Sequence, residues 1–114
     1  MEYLLLIYAD EKGTMAMDES TWRAEAGKCI AFGEKYADRI KGSNSLQPTT
    51  TATTVRLRGG KLLMTDGPFA ETKEQLAGYY LVEAANLDEA IALAGKNPIA
   101  PFGSIEVRPV RKLK

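Results

Sequence analysis

The sequence predicts an α+β fold of the ferredoxin-like type, in which an antiparallel sheet carries two helices on one face. Two segments, Tyr3–Tyr8 and Ala77–Ala84, are apolar on both faces, which indicates buried strands. Two more, Asp18–Lys41 and Leu87–Ala94, have apolar residues at helical spacing and each follow one of those strands. The 114 residues fit a single domain, residues 1–114, that is long enough to bury a core without metal or disulfide bonds.

The first loop and the long helix follow the N-terminal strand. The polar run Asp10–Gly13 predicts a loop. The helix is expected from Asp18 to Lys41, because Asp18 or Ser20 can accept the free amides at its start and Gly42 can end it in a left-handed turn. The residues expected to face the core form one stripe: Trp22, Ala26, Cys29, Ile30, Gly33, Tyr36, Ala37 and Ile40.

A hairpin is predicted in the middle of the chain. Residues Leu46–Arg58 include five threonines between Thr49 and Thr54 and then alternate apolar and basic residues, a pattern typical of a strand. Gly59-Gly60 can form a two-residue turn because both positions tolerate positive φ, and Lys61–Thr65 is the partner strand. A low-complexity linker is the alternative for the threonine run, although strand signals frame it closely.

The last third of the chain predicts a loop, a strand, a helix and a strand. The loop spans Asp66–Gln75 and precedes the apolar strand Ala77–Ala84. Asn86 and Glu89 form a capping-box pattern at the start of the helix Leu87–Ala94, which Gly95 ends. The final strand is expected at Ser104–Val110.

This pattern predicts a homodimer. Two helices can cover only one face of the sheet, yet two strands are apolar on both faces. The second face needs a partner, and an identical sheet is the simplest one.

Composition excludes several classes of function. Fifteen basic and fifteen acidic side chains cancel, so we expect no nucleic-acid binding. The tail with Arg108, Arg111, Lys112 and Lys114 is interpreted as a solvated terminus rather than a nucleic-acid arm. The apolar run near the N-terminus is too short for a signal peptide or a membrane span, which favours a cytoplasmic location.

The side chains available for chemistry are few. The chain has no histidine, which removes Ser-His and Cys-His pairs and imidazole ligands. Its single cysteine, Cys29, lies on the predicted buried stripe and is expected to act as a small hydrophobe in a reducing compartment. We therefore expect no metal and no cofactor.

Four separated blocks of sequence resemble the DGPF branch of the YCII-related family. They are YLLLIYADE, TATTVR, DGPFAETKEQLAGYYLVE and GSIEVRPV, in the same order and over most of the chain. The resemblance implies the dimeric α+β barrel fold. It also implies a link to sigma factors of the extracytoplasmic-function type, because relatives are often encoded beside them or fused to them.

The resemblance is less informative about activity. The wider family is thought to hold a His-Asp pair in a cleft, and some relatives act as dehalogenases or on lactones. Because this chain has no histidine, only Asp66, beside the Gly67-Pro68 turn, is a possible counterpart of that pair.

The candidate site residues lie around this turn. Asp66 and Glu71 are the candidate acid–base groups, with Lys73 and Glu74 near enough to perturb them. Asp66 can equally serve to turn the chain by bonding backbone amides. If a small molecule binds, we expect it where the turn approaches the first strand and helix, with these ligand-binding residues: Asp66, Phe69, Tyr80 and Arg108.

Three functions are compatible with these residues. The leading hypothesis is a homodimeric, non-catalytic module that binds a small molecule or serves a sigma-factor pathway. The second is a metal-independent enzyme that uses Asp66 or Glu71 on a small acidic or carbonyl substrate. The third is a structural paralogue without a ligand.

Overall fold

The computed structural model describes residues 1–113, and Lys114 of the basic tail lies outside the described residues. Besides a short 3₁₀ helix at Thr49–Thr51, within the predicted strand Leu46–Arg58, the chain forms six strands and three α-helices within this range. They are β1 (Glu2–Asp10), α1 (Glu11–Met15), α2 (Glu19–Lys35), β2 (Ile40–Ser45), β3 (Thr53–Arg58), β4 (Lys61–Asp66), β5 (Glu74–Glu83), α3 (Leu87–Gly95) and β6 (Ser104–Pro109). None of the helices in residues 1–113 is long and apolar enough to cross a membrane.

Four strands form an antiparallel sheet in the order β2-β5-β1-β6. The crossovers through α2 and through α3 place parallel strands two positions apart, which is the split βαβ arrangement. The predicted α+β class, with a four-stranded antiparallel sheet and helices, is therefore confirmed.

The core lies between the sheet and the two longer helices. Alternate residues of β1 point to the helices and are buried, and they cluster with Phe32 of α2 and Leu93 of α3. The other face of the sheet carries no helix, and its central side chains Leu4, Leu6 and Leu81 are half-buried. We call this second surface the open face. It is the face for which the sequence predicts a partner.

The long helix is shorter than predicted. It ends at Lys35 rather than Lys41, and residues 40–45 form the edge strand β2 beside β5. Gly42 therefore lies in a strand and does not end the helix. The polar run Lys41-Gly42-Ser43-Asn44-Ser45 has no apolar alternation, so only pairing with β5 makes it a strand.

The face of α2 that meets the sheet also differs from the predicted stripe. Phe32, outside that stripe, is the buried residue of the helix, and its ring packs against Tyr36 and Tyr80 at 5.0 and 5.2 Å between centroids. Trp22 and Ile30 are exposed instead. Phe32 therefore anchors α2 to the core, and Tyr36 of the predicted stripe packs against the same core.

The hairpin forms a sheet of its own. β3 and β4 pair with each other through the predicted turn, where Gly59 and Gly60 have φ of 56° and 75°. Neither strand joins the four-stranded sheet. The position beside β5 in the main sheet is occupied by β2, a strand that the sequence does not predict.

Local signals at the helix ends are confirmed. The carboxylate of Asp18 accepts a hydrogen bond from Thr21 N at 2.7 Å, and the amide oxygen of Asn86 accepts one from Glu89 N at 2.9 Å. No loop forms at Asp10–Gly13 as predicted: Asp10 ends β1, and the next three residues belong to the short helix α1.

Candidate functional site

A crevice of about 420 Å³ opens between α2, the sheet and the segment after α3. Its size falls within the range of small-molecule pockets. Apolar walls come from the strand β1, from α2 and from the loop that leads to β6. The lining side chains used below are Ile7, Cys29, Ile30, Tyr80, Asn97 and Ile99. The crevice exists because α2 is anchored through Phe32 and leaves the sheet uncovered beside it.

Neutral polar groups meet inside the crevice. Burial raises the pKa of the Tyr80 phenol, the nearby Cys29 sulfur adds to the rise, and the Asn97 side-chain amide opposes it. Burial also raises the pKa of the Cys29 thiol, and the negative charge of Glu25 adds to that effect. Both groups are therefore uncharged at neutral pH, and they can donate or accept hydrogen bonds without carrying charge.

Asn97 is held in place by the loop that follows α3. Its side chain is buried, and its amide oxygen accepts a hydrogen bond from Ile99 N at 2.9 Å. This contact occupies the amide oxygen, so the amide nitrogen is the group that can donate toward Tyr80 in the crevice.

The floor of the crevice depends on a glycine. A side chain at Gly78 would place its Cβ 2.8 Å from the carbonyl oxygen of Asn44, so β5 and β2 can approach here only without one. This close approach brings the backbone of Ser43 and Ser45 to the edge of the crevice.

A second, wider cleft lies at the base of the hairpin. It is lined by Glu71, Lys73, Asp10 and Glu11, together with the turn at Gly67-Pro68. The carboxylate of Glu11 accepts hydrogen bonds from both the backbone amide and the hydroxyl of Thr49. The cleft joins the Gly67-Pro68 turn to Asp10 at the end of β1. The sequence predicts a site where this turn approaches the first strand and the first helix.

The four predicted ligand-binding residues lie in three places. Asp66 ends β4 opposite Thr53, and Phe69 is 78% exposed with the Arg56 guanidinium 5.5 Å from its ring centroid. Tyr80 faces the helices. Arg108 lies on the open face, where it forms an ion pair with Glu106.

The structure therefore does not bring these four residues into one pocket of a single chain. Tyr80 pairs with Leu5 and Arg108 pairs with Leu4, and neighbouring residues of a strand point to opposite faces. Tyr79 and Tyr80, as neighbours on β5, point to opposite faces: Tyr79 lies on the open face, where its hydroxyl accepts a hydrogen bond from Asn44 Nδ2 at 2.8 Å.

Sequence reasoning missed most of the crevice. Asn97 and Ile99 lie in a loop with no chemical pattern, and their contribution depends on how that loop folds over the end of the sheet. Cys29 was expected to be a buried hydrophobe, whereas the structure leaves it half-buried at the crevice wall. Among residues 1–113, no group of three or more histidine, cysteine or acidic side chains is arranged to hold a metal ion.

Comparisons with known proteins agree with the fold. An uncharacterised protein of Rhizobium meliloti (strain 1021) is 41% identical over 118 residues, which cover 100% of this chain and 95% of the relative. A solved structure, 5-chloro-2-hydroxyhydroquinone dehydrochlorinase from Burkholderia phenoliruptrix AC1100 in complex with 2,5-dihydroxybenzoquinone, superposes with a TM-score of 0.56. It shares 15% identity, and the match covers 97% of this chain and 94% of the other. The model of the YCII-related domain matches residues 1–114, and the chain therefore belongs to the YCII-related family.

Proposed function

We propose that this protein is a homodimeric module that binds an uncharged, planar small molecule in the crevice between α2 and the sheet. The observation that carries this proposal is the combination of apolar walls with the neutral hydrogen-bonding groups of Tyr80, Cys29 and Asn97. Small-molecule sites have this composition, with a few polar groups that orient the ligand.

The absence of charge in the crevice limits the class of ligand. Within residues 1–113, the side chains that line it are uncharged, and the raised pKa values of Tyr80 and Cys29 keep these two groups neutral. A charged ligand would lose its hydration without gaining a counter-ion, which is unfavourable. A phenol, hydroquinone or quinone would keep its hydrogen bonds and bury its ring.

The structural neighbour provides a first choice of probe. That enzyme was solved with 2,5-dihydroxybenzoquinone, a small planar ring with oxygen substituents. At 15% identity the likeness concerns the fold alone, so the choice of probe rests on the chemistry of the crevice. Phenols and hydroquinones are preferable, because quinones can react with a thiol such as Cys29.

Binding can be tested by calorimetry and by thermal shift with a panel of phenols and hydroquinones. A ligand at 100 times its dissociation constant should stabilise the protein by about 2.7 kcal/mol. Tyr80→Phe should weaken binding by roughly five- to tenfold, the effect of one lost hydrogen bond. Tyr36→Phe is the matched control, since Tyr36 contacts Phe32 but does not line the crevice. Equal binding by wild type and Tyr80→Phe would refute the proposed site.

The proposed dimer joins two open faces. Leu4, Leu6, Tyr79 and Leu81 lie on this face without a helix above them.

Within the family, we propose that the chain belongs to the DGPF branch, because it carries the residues Asp66-Gly67-Pro68-Phe69. The resemblance to that branch also supports a regulatory role beside a sigma factor of the extracytoplasmic-function type.

A second candidate function is favoured by the cleft at the base of the hairpin. There Glu71 lies with Asp10, Glu11 and Lys73, an arrangement in which a carboxylate can act as general base on a small acidic or carbonyl substrate. Asp66 begins the turn beside this cleft. Incubation with lactones and halogenated phenols, followed by chromatography of the products, tests for turnover. Glu71→Gln and Asp66→Asn should abolish any turnover, whereas Glu19→Gln on the exposed side of α2 should not.

A further inference from the structure

The hairpin has two chemically distinct faces and projects from the domain. We call residues 53–66, which comprise β3, the turn and β4, the arm. Paired residues of the arm share a face. One face has Thr53 and Asp66 at its base and then four large apolar side chains, which are 56–70% exposed: Val55, Leu57, Leu62 and Met64. The opposite face is polar and cationic, with Arg56, Arg58 and Lys61 beside Leu63.

An arm of this kind cannot be stable in water by itself. A lone two-stranded hairpin is marginal at best, and three strands or a packed hydrophobic face are needed for stability. The arm makes no pairing with the main sheet, and its apolar face is uncovered. Something must pack on that face.

The exposed surface area of the chain indicates how much surface a partner could cover. The chain exposes 8181 Å², whereas a compact monomer of 12.5 kDa exposes about 6,200 Å². The excess of about 2,000 Å² exceeds the roughly 800 Å² that each partner buries in a standard interface. The radius of gyration, 15.9 Å, is also larger than the ~13 Å expected for this length.

We propose that the arm of each chain clasps a second copy of the same chain and covers its apolar face there. The arm lies in the connection between β2 and β5, whose ladder ends at Ser45 and Gly78. These are the strands that carry Asn44 and Tyr79 of the open face. Six residues in each strand give the arm a reach of ~20 Å, so a copy seated on the open face lies within that reach. The inference rests on the proposed homodimer and adds a second contact to it.

A second copy fits the arm better than a membrane surface. The arm has cationic residues, but the chain as a whole has no net charge, so anionic lipid would exert no net attraction on it. A symmetric pair also uses each arm once and leaves neither apolar face exposed.

Substitutions of two adjacent leucines distinguish the proposed contact from a general effect of adding a negative charge to the arm. Leu62→Asp places a carboxylate on the apolar face, and Leu63→Asp places the same carboxylate on the cationic face. Hydrogen exchange of the arm amides and sedimentation are measured for both variants and for wild type across a range of protein concentrations. The apolar burial is lost twice in a symmetric pair, so Leu62→Asp should raise the dissociation constant on the order of 100-fold or more. Leu63→Asp should change it less than tenfold.

In wild type, exchange of the arm amides should slow as the dimer forms, and Leu62→Asp should abolish that protection. A dimer whose arm amides exchange as fast as those of the monomer would overturn the clasp while leaving the sheet-face dimer intact. A monomer at all concentrations would overturn both. Protection that appears only with anionic phospholipid vesicles would assign the arm to a membrane surface and also overturn the proposal.

Discussion

In the crevice, burial is the main cause of the shifted pKa values of individual side chains. Burial raises the pKa of both Tyr80 and Cys29, Cys29 adds to the rise at Tyr80, and both groups are kept neutral. A neutral thiol is a poor nucleophile, since the thiolate is the reactive form. The geometry therefore favours Cys29 as a wall of the binding site rather than as a catalytic group.

This assignment predicts slow alkylation of Cys29. Because burial raises its pKa, the fraction of thiolate at pH 7.5 is smaller than in a free thiol of pKa about 8.5. Reaction with iodoacetamide, followed by mass spectrometry, should be slower than that of a model thiol and should accelerate only at higher pH. A bound ligand should slow it further. Alkylation at pH 7.5 as fast as that of the model thiol would contradict the buried setting.

A second prediction at this scale concerns Gly78. In Gly78→Ala the new Cβ would lie 2.8 Å from the Asn44 carbonyl oxygen, and neither backbone can yield without opening the β2–β5 ladder. We expect a loss of about 1–3 kcal/mol in the free energy of unfolding, measured by urea denaturation. Gly95→Ala is the control, since nothing lies within 4 Å of a Cβ there. Equal stability of the two variants would count against the close approach.

Helices and strands of this domain depend on different contacts. A helix start is stabilised by a capping side chain close in sequence, whereas an edge strand is stabilised by pairing with a strand that is distant in sequence. α3 begins at Asn86, whose side chain accepts a hydrogen bond from Glu89 N, and it buries Ala90, Leu93 and Ala94. β2 has no comparable local signal and depends on β5. The two elements illustrate how a helix end can be read from local residues while an edge strand cannot.

The cap of α3 provides the prediction at the scale of the element. Asn86→Ala removes the side-chain acceptor and should cost about 1 kcal/mol of stability. The melting temperature should fall by several degrees. Asn86→Ser restores an oxygen at the same position and should recover most of that loss. A melting temperature of Asn86→Ala equal to that of wild type would show that the cap adds nothing to the fold.

The whole molecule is a thin slab, with principal extents of 46 × 45 × 19 Å. Helices cover one face of its sheet, and the open face remains apolar at its centre. The sequence leaves open whether Leu5 or Leu81 faces a partner. The register resolves this point, since Leu5 is fully buried beneath the helices and Leu81 lies on the open face.

Leu81→Lys tests the sheet-face dimer. A charge in the centre of a dry interface would have to lose its hydration in both copies, so the variant should sediment as a monomer or remain poorly soluble. Ile91→Lys is the control, because Ile91 is exposed on α3, away from the open face. A Leu81→Lys protein that sediments like wild type at micromolar concentration would refute the interface.

The sequence by itself determined the fold class, both apolar strands, the helix caps at Asp18 and Asn86, and the Gly59-Gly60 turn. These features depend on periodicity, capping and positive φ, which neighbouring residues encode. Only the tertiary structure decided that residues 40–45 form a strand, that Phe32 anchors α2, and that Tyr80 and Arg108 lie on opposite faces. The tertiary structure alone also brings Cys29, Tyr80 and Asn97 together in the crevice. These features depend on strand register and on contacts between segments that are far apart in the sequence. The residues that stabilise them are therefore not neighbours in the chain, and a local sequence pattern does not contain them.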